Sequence, residues 1–419
     1  MKIIKYVIAY IVLILIFLGI LTLAAMIPRK LISNNIERSL ISFWKPTIYY
    51  RDIFDDSLVL DMSYKLNKKD PFISALEMNT LSNQKDSIDS MLEDYSPIKA
   101  LTHEFNNDYF TDYTYNYSYA RYWHGYVALM KPLLIFFTYN QMCGLLGVVS
   151  IILLIWFFVL MYKKISFKMA CLFCIAWISI GYLYIWTSFS LFMTILLAII
   201  FSIYILKNYN KIKNYRLLFF IYGSITVFMC WMNFTPITFA IPIMIYYLLN
   251  EENNFSIKEY FMMLFSYLFG YAIIWATKWI LADVFTDNSI IRDSINQIVF
   301  RVMPGNMEWH DGSNHNVTII GSILLNSYYY YFGTFAIIYL LYDFVFYNIF
   351  NKEKKILKKE EIMIWYLISL IPILVYALAS NHSFLHASFF TNKNMVIFWL
   401  ALIICHERKK EYVNENNKK

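Results

Sequence analysis

The apolar positions of this chain fall in long unbroken runs. The first covers residues 4–27 and follows Lys2 and Lys5. A signal-peptide core holds roughly 7–15 apolar residues. This run is long enough to cross about 30 Å of hydrocarbon as one helix. It therefore reads as a retained first span with its basic end in the cytoplasm. Further runs lie at 142–162, 168–186, 189–206, 217–232, 236–250, 261–283, 329–350, 362–380 and 392–407, which makes ten predicted spans. The third and fourth are joined around Trp186–Ser188, the fifth and sixth around Asn233–Pro236, and both pairs read as helical hairpins. The expected fold is an all-α polytopic integral membrane protein.

Two polar stretches interrupt the runs. Residues 28–125 carry turn signals at Lys45-Pro46, Asp70-Pro71 and Ser96-Pro97, and Leu58, Met62 and Leu66 recur at helical spacing. This predicts a large helical loop of amphipathic helices over the membrane surface. Residues 284–328 form a second loop with a turn at Pro304-Gly305. The chain thus divides into a first helix (1–27), an extracytoplasmic helical loop (28–125), spans two to seven (126–283), a second loop (284–328), spans eight to ten (329–407) and a basic tail (408–419).

Composition agrees with that map. Apolar residues make up 59% and charged residues 16%, where soluble domains carry about 25% charged. Mean hydropathy is +0.48. The net charge of +7 matters through its placement. Lys163, Lys164, Lys168, Lys207, Lys211, Lys213, Arg216, Lys258, Lys352, Lys354, Lys355, Lys358 and Lys359 fall in predicted cytoplasmic connections, as positive-inside topology requires. Such placement is topology information and gives no nucleic-acid footprint. An even number of spans puts both termini inside, and both are basic. Arg29, Lys30 and Arg38 run against the rule, which long translocated segments obey poorly. Cys171 and Cys174 form a CxxC, but inside a predicted span, where small core residues are the better reading.

Candidate chemistry collects on the predicted outer side. In YARYWHGYVALMKPLLIFF, Arg121 and His124 stand three apart at the mouth of an apolar run. Trp123 and Lys131 fit interfacial anchors; the Arg/His pair fits a phosphate or sugar contact better. In NHSFLHASFFTNKN, His382 and His386 share a face if helical. A zinc site there would need a third ligand such as Glu308, His310 or Asp311; a polar site for phosphate or sugar is the other reading. In RDIFDDSLVLD, Asp52, Asp55 and Asp56 cluster, which suits a general base or a solvated helix face. Lys278 lies in the seventh span near its outer end, placed either for function or to snorkel to the interface. His310 sits in the acidic–histidine run EWHDGSNH. Carboxylates beside cations at a membrane mouth are what a transferase acting on a lipid-phosphate donor needs: cations stabilise the departing phosphate and a carboxylate deprotonates the acceptor hydroxyl.

This layout of a first helix, then a large outer loop with amphipathic helices and carboxylates, resembles the GT-C class of membrane glycosyltransferases. The resemblance implies a polyprenyl-phosphate-linked sugar donor, an envelope acceptor and a location in the cell membrane. The carboxylate it implies as base is Asp56 or Asp55 in IFDDSLVLD, further from the first helix than that class places it. Arg121, His124, His382, His386, Lys278 and His310 are the substrate-binding candidates. The sequence specifies no cofactor. Two segments, YARYWHGYVALMKPLLIFF and NHSFLHASFFTNKN, also look like parts of bacterial polytopic membrane proteins of unassigned function. A transporter or flippase and a non-catalytic envelope assembly protein are the competing expectations; a transporter would carry its polar groups to mid-membrane, where the runs are nearly bare.

Overall fold

The computed structural model describes residues 2–44, 53–82, 101–102, 105, 115–230, 235–250, 256–308, 314–330, 338–339, 341, 358–388 and 390–416. The predicted span 329–350 lies almost wholly outside them, as do Asp52 and His310.

Helix α1 (Lys2–Met26) is apolar on all sides. Ile4, Ile8, Ile11 and Leu15 face outward, while Phe17, Leu21, Ala24 and Ala25 are buried. An exposed apolar helix of this length is a lipid-facing one. Helix α2 (Arg29–Trp44) is amphipathic: Ile32, Ile36, Leu40 and Phe43 are buried at helical spacing. It docks through Asn35, whose side chain donates to Leu134 O at 2.9 Å, and through Ser39, which accepts from Tyr139 N. Helix α3 (Ile53–Lys65) differs from the expected surface helix. From Asp55 to Ser63 every residue is buried, polar ones included. Helix α4 (Pro71–Glu77) starts at a proline and ends at Met78 in the left-handed region. Strand β1 (Asn79–Ser82) then pairs antiparallel with β2 (Tyr115–Ser118), Asn79 opposite Ser118.

A short helix α5 (Val127–Leu133) holds Pro132 and leads into α6 (Tyr139–Lys164), opened by a Thr138–Gln141 capping box. There follow α7 (Phe167–Ser179), α8 (Phe189–Asn208), α9 (Tyr215–Met229), α10 (Pro236–Leu249) and α11 (Ile257–Phe285). Beyond them lie α12 (Ile290–Val302), the ribbon β3 (Asn306–Glu308) with β4 (Asn314–Asn316), α13 (Ile319–Tyr329), α14 (Lys359–Ser369), α15 (Ile371–Leu378), α16 (Ser380–Leu385) and α17 (Met395–Asn416). The break between α14 and α15 falls just before Pro372, which cannot donate into the preceding turn.

Among the described residues five helical segments are long and apolar enough to cross a membrane: Ile3–Met26, Tyr139–Lys164, Phe189–Lys211, Ile257–Phe285 and Lys359–Leu378. Helices α7, α9 and α10 are apolar but shorter. At 1.5 Å per residue, α7 with 13 residues reaches about 20 Å, and the predicted span 168–186 continues past it through turns and a short 3-10 segment. The chain is an all-α membrane protein, with two small antiparallel ribbons among the described residues. Its core centres on α8 and α10, most of whose residues are buried. Helices α9 and α11 meet backbone to backbone: a Cβ on Gly223 would stand 2.0 Å from Tyr267 O, and one on Gly270 2.2 Å from Phe220 O.

Candidate functional site

The charged groups buried beneath the loop are clamps on helix ends. Asp56 is fully buried, and its Oδ1 accepts from Ser190 N at 3.3 Å, Ser190 Oγ at 3.1 Å and Ser188 Oγ at 3.1 Å. These groups form the first turn of α8, so a carboxylate from α3 caps a helix 132 residues further on. The backbone N–H groups there lack intrahelical partners and carry the positive end of the helix dipole. The opposite ends are held by cations. Arg29 Nη2 donates to Lys65 O and Lys131 Nζ to Leu66 O, each at 2.7 Å, closing the C-terminus of α3. Burial, helped by neighbouring Arg29, brings the Lys131 ammonium down to about 7. Lys278 does not snorkel. It is fully buried, and Nζ donates to Ala75 O at 3.0 Å and Leu76 O at 2.7 Å, which anchors the end of α4 to α11.

The segment from Tyr119 to Gly125 forms a tight turn, with His124 at φ 52. Arg121 and His124 therefore do not share a helix face; both turn toward Tyr119. The Arg121 guanidinium lies 4.1 Å from the Tyr119 ring centroid and forms an ion pair with Asp293 at 3.0 Å. His124 Nε2 is 3.0 Å from Tyr119 O and Nδ1 is 2.6 Å from the Tyr126 hydroxyl. Desolvation, then Lys278 and Arg121, hold the His124 imidazole well below its ordinary value, so it is neutral. Trp275 and Trp279, one turn apart on α11, both donate to Arg121 O, at 2.6 and 2.9 Å. Trp123 donates to Ile274 O. The predicted anchor role of Trp123 is thus played against protein rather than lipid headgroups.

The histidine pair forms a second group. His382 and His386 stack at 4.7 Å between ring centroids. Arg301 Nη1 donates to His382 Nδ1 at 2.5 Å. A guanidinium only donates, so Nδ1 is the acceptor and the proton of the neutral ring sits on Nε2. Burial and Arg301 depress both histidines, His386 to about 4. That guanidinium also opposes a cation between them, and among the described residues no three His, Cys, Asp or Glu side chains gather to hold a metal ion. Asn381 donates to Phe300 O and Ser380 to Val302 O, so α16 is tied to the end of α12.

Tyr119 connects the groups. Burial pushes its phenol up; Arg121 pulls it down, Tyr122 pushes it up, and Arg301 and Asp55 then act in opposite senses. One phenol thus feels Asp55 from α3, Arg121 from the turn and Arg301 from α12. Asp55, Arg121, His124, His382 and His386 stand out in the sequence, whereas Tyr119, Asp293 and Arg301 emerge as their neighbours only in the fold. The signal for the last two was the eight-residue spacing of Asp293 and Arg301, which puts them on one side of α12. No protein-family model, curated protein or solved structure matches this chain.

Proposed function

We propose that this protein is a GT-C-like glycosyltransferase of the cell membrane, taking a sugar from a polyprenyl-phosphate donor to an envelope acceptor. What supports the reading is the run of contacts from Tyr119 to Arg121, from Arg121 to Asp293 of α12, and from Arg301 of the same helix to His382, with the charge of Asp55 acting on the Tyr119 phenol from α3. Asp55 is the base in this reading, because it is the α3 carboxylate whose charge acts on the Tyr119 phenol, while Asp56 caps the start of α8. In the reaction Asp55 takes the proton of the acceptor hydroxyl. That oxygen bonds to the anomeric carbon, and the bond from that carbon to the phosphate oxygen breaks. The departing polyprenyl phosphate keeps the electron pair and is stabilised by the guanidiniums and the His382 Nε2–H. Neutral His382 and His386 would donate to the donor rather than accept protons from it. His310 keeps its proposed substrate contact from the sequence; Lys278 supports the site by holding α4.

The proposed topology has ten crossings with both termini cytoplasmic. The test is mass spectrometry of polyprenyl-phosphate-linked sugars in cells lacking the gene, restored, and restored with Asp55→Asn or Asp56→Asn. The expected outcome is a lipid-linked sugar that accumulates on deletion, stays with Asp55→Asn and clears with Asp56→Asn, whose amide oxygen still caps α8. An unchanged lipid pool in every strain would overturn the transferase reading in favour of transport or assembly.

A further inference from the structure

Helix α12 presents two faces of different chemistry. Its inner face packs Ile290 against Ala120 and Ala282 and sends Asp293 to Arg121 and Arg301 to His382. Its outer face exposes Ile291, Ile295, Val299 and Val302, with Ile295 at 50%. At 3.6 residues per turn these four fall within an arc of roughly 80°; Arg292 stands on its edge, Asn296 lies about 60° beyond it, and Phe300, also exposed, lies past Asn296. An apolar stripe bordered by polar residues would be a liability in water. Here it has a continuous setting. Helix α11, long and apolar enough to span a membrane, ends just before α12 with Ile280, Val284 and Phe285 exposed. The apolar surface resumes on α13, where Ile320 and Leu324 are exposed.

We infer that α12 lies in the membrane interface with Ile291, Ile295, Val299 and Val302 among the acyl chains of one leaflet, and that this lipid contact holds the Arg121 and His382 groups together. The helix is a strap. Its first turns grip the Tyr119–Arg121 segment, its last turn grips α16, and its outer stripe is seated in lipid. A lipid-borne ligand sliding along that leaflet would meet the strap directly beside Arg121 and Arg301. The inference concerns lipid contact and stands independently of the transfer reaction.

The test places an environment-sensitive fluorophore on single cysteines at Ile295, Val299, Arg292 or Asn296, in full-length protein whose five native cysteines are replaced, in phosphatidylcholine nanodiscs. An interfacial helix buries its apolar face about 5–10 Å deep, so bromine-labelled acyl chains should quench positions 295 and 299 about threefold more than 292 and 296. Aqueous iodide should show the reverse order. Equal iodide access at all four positions would overturn the inference. So would protection of 295 and 299 from both quenchers, which would mean a protein partner or second copy covers the stripe. The coupling is read in the Ile295→Asp/Val299→Asp variant by hydrogen exchange. Amides of 119–124 and 380–386 should exchange faster while those of α8 and α10 do not change. A strap released from lipid with both segments unaltered would sink the coupling.

Discussion

At the scale of single residues, the buried charges of this protein divide into those that hold helix ends and those that gather around Tyr119. Asp56, Lys131 and Lys278 are hydrogen-bonded to helix termini. Such groups looked like site chemistry in the sequence because a buried cap and a catalytic group draw on the same residue types. The histidine pair was legible as HxxxH, but its partner Arg301 lies 81 residues away, a distance no local pattern reports. That pair carries a pH signature. His386, partly buried, takes a proton near its ordinary 6.5 in the unfolded chain and near about 4 in the fold, through burial and then Arg301. Between those values the unfolded state binds more protons. The stability is therefore fully present above 6.5 and is lost as pH falls toward 4, up to about 3 kcal/mol for a change of that size. Melting midpoints of the wild type and of His386→Gln, compared from pH 7 to 4, should show a flatter curve for the variant. Parallel curves would mean that this imidazole titrates normally in the fold.

At the scale of elements, lipid makes the long helices readable. A span must be about 20 apolar residues long whatever it packs against, so α1, α6 and α11 stand out as runs. Pro372 likewise marks the break between α14 and α15. Helix α3 reads as a surface helix, since Asp55, Asp56, Ser57, Asp61 and Ser63 suggest a solvated face, yet it is buried. It is buried with Leu58, Val59, Leu60 and Met62 in the core, and the start of α8 supplies Asp56 with partners. The β1–β2 ribbon was not legible at all: its strands are far apart in the chain and no tight-turn signal joins them. The α9–α11 contact depends on Gly223 and Gly270. Small residues let membrane helices approach closely, so that packing rather than the hydrophobic effect holds them. Gly270→Leu would drive its side chain into Phe220 O, and relief requires the helices to separate. The expected result is a thermal midpoint in detergent lower by several degrees, in line with a cost of about 1–3 kcal/mol for overpacking. An unchanged midpoint would show that the two backbones can part freely.

At the scale of the whole molecule, polar contacts sit at two ends of an apolar body. At one end Arg216 pairs with Glu259 at the starts of α9 and α11. Lys168 pairs with Glu407, and Arg408 with Glu361, linking the start of α7, α17 and the start of α14. Tyr6, near the start of α1, packs on Phe220 in the second turn of α9. The helix ends that the charge rule assigns to the cytoplasm are thus joined by direct contacts, and the candidate site occupies other helix ends. If that end faces the cytoplasm, Lys213 and both termini share a compartment, and Asp287, between α11 and α12, lies across the membrane from them. In a chain without native cysteines, Asp287→Cys should react with an impermeant maleimide in intact cells. Lys213→Cys and tags at either terminus should become reachable only after permeabilisation. If one terminal tag were reached together with residue 287 while the other stayed protected, the total number of crossings would be odd. The ten-span arrangement would then fall, although the contacts of Arg121 with Tyr119 and Asp293, and of Arg301 with His382, would not.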